Sequence, residues 1–238
     1  MKRVRSAAAA ILTAVMLSFL PSAAGYCAIV NFDVETASEE YNNLEGSVIY
    51  YENGVNADEL YAAASAWVQI PSSVLTALYE YDCRIYLSCS AISDPEERSY
   101  VTGETHYPAF ICDARDLSIV AAQGQAYVVC ITADTDISTT VLHEIGHLFD
   151  GVIATRRSGY IRNNSAFTLS SSDEWLALYT QYKDAMSKMD TNASMNMYST
   201  AEAFAEAFRL YNSRPEALQS AAPGVYEYVR AAIEQYAG

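Results

Sequence analysis

The sequence predicts an α+β domain in which a small mixed sheet lies between helical parts. Three observations predict it. Helix signals run through residues 56–81, apolar alternation recurs between residues 84 and 132, and helical periodicity continues from Asp136 almost to the end. Met1 to Ala24 comes first and reads as a signal peptide. Lys2, Arg3 and Arg5 precede the apolar run Ala7 to Leu20, Pro21 breaks that run, and Ser22-Ala23-Ala24 offers small residues for cleavage. The run is too short to cross a bilayer comfortably. Export to the extracellular space follows, with residues 25–238 as a single domain and no stable membrane insertion once the leader is gone.

Residues 26–55 mix short apolar runs with Asn and Gly and receive no assigned element. Asn56-Ala-Asp58 caps a helix through Trp67, and Pro71 suits the first turn of a second helix over 71–81. Residues 84–89 alternate as a half-buried strand, and residues 90–106, with Pro95 and Gly103, read as a loop. Strands are expected near 107–113, 117–122 and 126–132, with Gln123-Gly124 as the turn between the last two. From Asp136 onward the chain reads as helices.

Composition narrows the function classes. Apolar residues make up 51% of the 238, enough for a sizeable core. The 14 basic and 29 acidic residues give a formal net charge of −15, and the leader's three basic residues take the exported form to −18. Such a surface repels nucleic acid and anionic lipid. The five cysteines, Cys27, Cys83, Cys89, Cys112 and Cys130, form no C-x-x-C pair, so cysteine-ligated zinc has no support. Cys83 and Cys89 share one predicted strand, about 20 Å apart, too far for a bond. A bridge has to join different elements, for example Cys112 with Cys130.

The chemistry sits in Val141-Leu-His143-Glu144-Ile-Gly-His147-Leu148, an H-E-x-x-H pattern with Asp136 and Ser138 as candidate caps. Residues four apart on a helix share a face, so two imidazoles there can bind one Zn2+ ion. Glu144 stands beside the first histidine, placed to act as the catalytic base toward water at that ion. Only three histidines occur in the chain, and two of them fall in this pattern. The bland alternative is a pair of solvent-facing histidines, which the flanking Val141, Leu142, Leu148 and Phe149 oppose by burying the helix.

A catalytic zinc needs a third protein ligand. His106 lies in the loop-like stretch and reads as a structural or substrate-side residue. Asp150, three residues after His147, reads as an outer support that orients an imidazole. No third histidine follows at the metzincin spacing. Glu202, in Ser199-Thr-Ala-Glu202-Ala-Phe-Ala-Glu206-Ala-Phe-Arg209, lies on a strongly apolar helix where a carboxylate needs a cation. Ser199-x-x-Glu202 is equally a capping box, which needs no metal. On the residues alone both readings of Glu202 stand.

The stretch from the strand at 84–89 through Arg209 resembles the catalytic domain of the anthrax-lethal-factor-like zincins, a group that includes secreted Pro-Pro endopeptidases. The residues carrying the likeness are His143-Glu-Ile-Gly-His147 and Glu202-Ala-Phe-Ala-Glu206-Ala-Phe. The resemblance implies a zincin-like fold whose H-E-x-x-H helix carries the site, with a helical C-terminal part. It implies a zinc endopeptidase acting on protein or peptide substrates, Glu202 as third metal ligand, and Glu206 as an outer support. It also implies a tyrosine ahead of Glu202 that hydrogen-bonds the oxyanion. The family's spacing falls on Met195 here, so Tyr198 takes that role, ahead of Tyr179 and Tyr182. The strand at 117–122 is the expected edge for an added substrate strand. The rival function is a zincin scaffold that binds a partner without catalysis, which would have no need of Glu144.

Overall fold

The structure is a computed structural model that describes residues 28–32, 48–52, 57–81, 83–88, 120–122, 125–132, 136–159 and 165–237. The expected signal peptide, the strand at 107–113, His106, Cys27, Cys89 and Cys112 lie outside these residues. Among the described residues five strands form one sheet: β1 (Ala28–Phe32), β2 (Val48–Glu52), β3 (Arg84–Ser88), β4 (Val120–Ala122) and β5 (Gln125–Thr132). Their order is β1-β2-β3-β5-β4. The first four in that order pair in parallel, and β4 lies antiparallel to β5 at the edge.

Two helices, α1 (Ala57–Trp67) and α2 (Ser72–Glu80), connect β2 to its parallel neighbour β3. A parallel pair needs such a crossover, because a tight turn can only reverse the chain. The remaining helices are α3 (Ile137–Ser158), α4 (Asp173–Met186), α5 (Thr191–Met195), α6 (Thr200–Ser213), α7 (Pro215–Ala221) and α8 (Pro223–Tyr236), with a 3-10 turn at Ser165–Phe167. None of the described helices is long and apolar enough to cross a membrane.

The predicted α+β class, built on a small mixed sheet, is overturned on two counts. The residues whose packing is described form a predominantly helical body. Helices also interleave with the parallel strands rather than following a separate sheet. The physical reason is that strand pairing is non-local. Period-two alternation marks a strand, but it carries no information about which strand lies beside it or in which direction.

Helix α3 is the axis of that body. Its residues from Val141 through Thr155 are all buried, including the polar His143, Glu144, His147 and Asp150, so the helix carries polar groups through the interior. Asp136 caps its start, accepting from the Thr139 hydroxyl at 2.8 Å. Gly159 ends it at φ 74°, a left-handed conformation that glycine adopts without a Cβ penalty. Helices α1, α2 and α6 and strand β5 surround it. Against α6 the approach is close. A Cβ on Gly146 would lie 2.7 Å from the Ala205 Cα and 2.9 Å from its carbonyl oxygen, so only glycine lets the two backbones meet there. Phe149 and Phe208 seal the contact with ring centroids 5.7 Å apart.

Helix α6 is held from its other side by Trp175. The indole packs edge-on against Phe204, 5.3 Å between centroids, and donates to the Thr200 carbonyl at 2.7 Å. The α3–α6 pair is therefore fixed in spacing by Gly146 and in rotation by the aromatic cluster.

Candidate metal centre

The i,i+4 spacing in α3 does what the sequence predicts. His143 and His147 lie on one face with ring centroids 4.9 Å apart and planes crossing at 76°. Both rings are buried, and Glu144 between them is fully buried. One potential ligand atom from each of His143, Glu144 and His147 lies within 4.8 Å of the other two.

Glu202 reaches this group from α6. Ser199 caps that helix, accepting from the Glu202 N–H at 3.2 Å. This is one half of a capping box. The carboxylate is turned toward α3 instead: Oε2 stands 3.1 Å from His143 Nε2, and Oε1 stands 3.4 Å from His147 Nε2. The backbone of Glu202 thus serves the cap while its side chain serves the site.

The donors fit a divalent zinc ion. Ligands about 2.0–2.1 Å from a tetrahedral ion stand roughly 3.3–3.5 Å from one another. The two Nε2-to-carboxylate separations are close to that spacing. His147 Nε2 and both Glu144 oxygens are buried without a hydrogen-bond partner, since the 3.4 Å contact to Glu202 is not aligned as one. Buried polar atoms are normally satisfied, so this cluster of orphans calls for a cation and a polar ligand. Glu144 lies 3.9 Å from His143 Nε2, farther than Glu202. One straight helix rarely offers three ligands to one tetrahedral ion, which favours Glu202 over Glu144 as the third.

The electrostatics agree with a site built for positive charge. Burial pushes the Glu144 carboxyl up to about 8, opposed in part by His143. Burial alone would lower His143, but its bonds to Glu202 and Glu206 override it and raise the imidazole to about 10. Burial would raise Glu202, yet the two histidines bring it well below the ordinary carboxylate range. His147, dominated by burial, is lowered.

These shifts set the pH dependence of the metal-free protein. The pairing that raises His143 is fully present below about pH 6.5, its ordinary value, and drains away as pH climbs toward 10. The stabilisation from the lowered Glu202 is present above about pH 4.5 and lost as pH falls. Glu144, raised from about 4.5 to about 8, adds to the loss as pH rises across that interval, because the folded chain resists the ionisation that the unfolded chain allows. Thermal unfolding in the presence of a chelator is expected to peak between about pH 4.5 and 6.5 and to fall by roughly 5 °C at pH 9. A flat profile removes the pairing.

Tyr198 immediately precedes the Ser199 cap and is 65% exposed. The Tyr179 hydroxyl donates to the Met197 carbonyl at 2.9 Å, and the Tyr182 ring lies against Gly224. Asp150 accepts from the Leu169 N–H at 2.6 Å and from the Ser170 N–H, which pins the segment after the 3-10 turn, and its charge also acts on His147. Glu206 does reach an imidazole, with Oε2 at 3.1 Å from His143 Nδ1. Sequence reasoning missed Arg209 and Asp190, which stand behind Glu206. The i,i+3 pair Glu206-x-x-Arg209 on an apolar helix was the available signal for the first of them.

Comparison with known proteins adds to this geometry. The family model described as anthrax toxin lethal factor, N- and C-terminal domain, matches residues 35–232. Among solved structures, the chain is similar to the Pro-Pro endopeptidase of Paenibacillus alvei, at 21% identity and a TM-score of 0.49, over 77% of this chain and 96% of that one. No curated protein matches the chain.

Proposed function

Since the chain belongs to the family of the anthrax toxin lethal factor N- and C-terminal domain, we propose that it is a secreted zinc endopeptidase that hydrolyses peptide bonds with one metal ion. The observation that carries the reading is the meeting of His143, His147 and Glu202 around unpartnered buried donors, with Glu144 beside them. His143, His147 and Glu202 hold the ion. When bound, zinc supplies Lewis acidity toward water and the scissile carbonyl. Glu144 accepts the proton of the attacking water on a carboxylate oxygen and delivers it to the departing amine nitrogen. Its burial keeps bulk water from competing for that proton. The substrate enters as an extended chain along β4, the edge strand among the described residues, as an added strand.

Tyr198 is the proposed oxyanion donor, which requires its side chain to fold inward over the bound peptide. Tyr198→Phe then lowers kcat by about 10²-fold with KM nearly unchanged. Its exposure favours a second reading, a scaffold that binds a partner without catalysis. Mass-spectrometric profiling of a broad peptide library with zinc-loaded protein tests the first reading. Cleavage that stops on chelation and returns with zinc supports it, and the absence of any cleavage leaves the scaffold reading.

A further inference from the structure

Behind His143 runs a chain of charges, buried at Glu206 and Arg209 and reaching the surface at Asp190 and Arg214, that metal ligation alone does not use. Glu206 Oε1 accepts from Arg209 at 2.9 Å from Nε and 2.5 Å from Nη2. The same Nη2 donates to both oxygens of Asp190 at 2.9 Å. Asp190 accepts from Arg214 at 3.2 Å and, by its Oδ1, from the Ala193 N–H at 2.9 Å, which caps α5. Glu206 is fully buried and Arg209 is 4% exposed.

We infer that Arg209 and Asp190 are positioning residues for the metal centre, acting through Glu206 to fix the ring of His143. This rests on the zinc reading above. The argument is geometric. A ligating histidine must present one nitrogen's lone pair to the metal, and the partner of its other nitrogen decides which one. Glu206 is that partner for Nδ1, leaving Nε2 to face Glu202 and His147. A lone carboxylate on a helix can swing about its terminal torsions. Here the guanidinium grips Oε1 with two donors, so Oε2 is the oxygen that meets the ring. Asp190 comes from the segment between α4 and α5 and accepts from the same Nη2 that binds Glu206. Without it that nitrogen loses its second carboxylate, and the grip on Glu206 loosens.

A plain staple between α5 and α6 would use the same residues, so the test has to separate the two roles. Zinc dissociation constants of the full chain are measured by competition with a chromogenic chelator for the parent, R209M, E206Q, their double variant and D190N. Arg209→Met and Glu206→Gln are each expected to weaken zinc binding about 10- to 100-fold. Because they share one route, the double variant is expected to be no more than about 3-fold weaker than the worse single. Asp190→Asn keeps an oxygen for the α5 cap and is expected to weaken zinc about 3-fold. Should R209M prove unfolded by circular dichroism, D190N decides. Unchanged zinc affinity in R209M, or in D190N where it decides, overturns the inference, as do fully additive losses in the double variant. A parent that binds no zinc removes the metal reading and this inference together. A parent that binds zinc but cleaves nothing removes only the endopeptidase.

Discussion

Glu144→Gln is expected to lower the rate of peptide hydrolysis by about 10²- to 10⁴-fold while zinc stays bound. The amide is nearly the same size as the carboxylate, so the fully buried pocket needs no repacking. It has no basic oxygen to take a proton from water. The fold is expected to hold, because burial already favours the neutral form of Glu144 below about pH 8 and the amide is equally neutral. The expected signature is therefore a split: kcat/KM collapses, the zinc dissociation constant moves by less than about 3-fold, and the unfolding temperature holds. A variant that retains its rate would remove Glu144 from the reaction, and with it the main argument against a non-catalytic scaffold.

Gly146→Ala carries the largest expected structural effect. The new methyl would meet backbone atoms of Ala205 at 2.7 and 2.9 Å and the Phe208 Cβ at 3.1 Å. Backbone cannot swing aside as a side chain can, so α3 and α6 must separate. Overpacking of this kind costs about 1–3 kcal/mol, or roughly 2–10 °C in unfolding temperature for a chain of this size. The displacement also carries Glu202 away from the two imidazoles, and zinc affinity is expected to fall at least about 10-fold. Gly224 is the control. A Cβ there meets only the side-chain ends Leu178 Cδ2 at 2.9 Å and Tyr182 Cε2 at 3.0 Å. Gly224→Ala should leave zinc affinity intact. Calorimetry and chelator competition on both variants check the contrast, and equal behaviour of the two would show that the helix spacing does not govern the metal site.

The same contrast between local and distant contacts explains what was legible in the sequence. His143, Glu144 and His147 are readable because one helical turn brings them together, whatever the rest of the chain does. The helices at 57–67 and 72–80 follow from caps and periodicity close at hand. Glu202 was ambiguous for a physical reason: its backbone does complete the Ser199 cap, and only its side-chain direction, set 59 positions away by His143, gives it a second role. Family resemblance chose between the two where spacing could not. The Asp190–Arg209 contact bridges 19 positions and leaves no periodic trace. The parallel pairing of β1, β2, β3 and β5, which helped overturn the α+β class, is equally non-local. The family spacing for the oxyanion tyrosine falls on Met195, so Tyr198 was a substitute that no local pattern fixes, and it is exposed.

Two proposed ligands sit on α3 and the third on α6, with 59 positions of chain between His143 and Glu202. An ion held there is a detachable cross-link closing a long loop, and it favours the folded chain in proportion to how tightly it binds. Metal supply would then govern the protein's lifetime as well as its chemistry. In zinc-poor surroundings the two central helices would lose that clasp, and the chain would become easier prey for proteolysis.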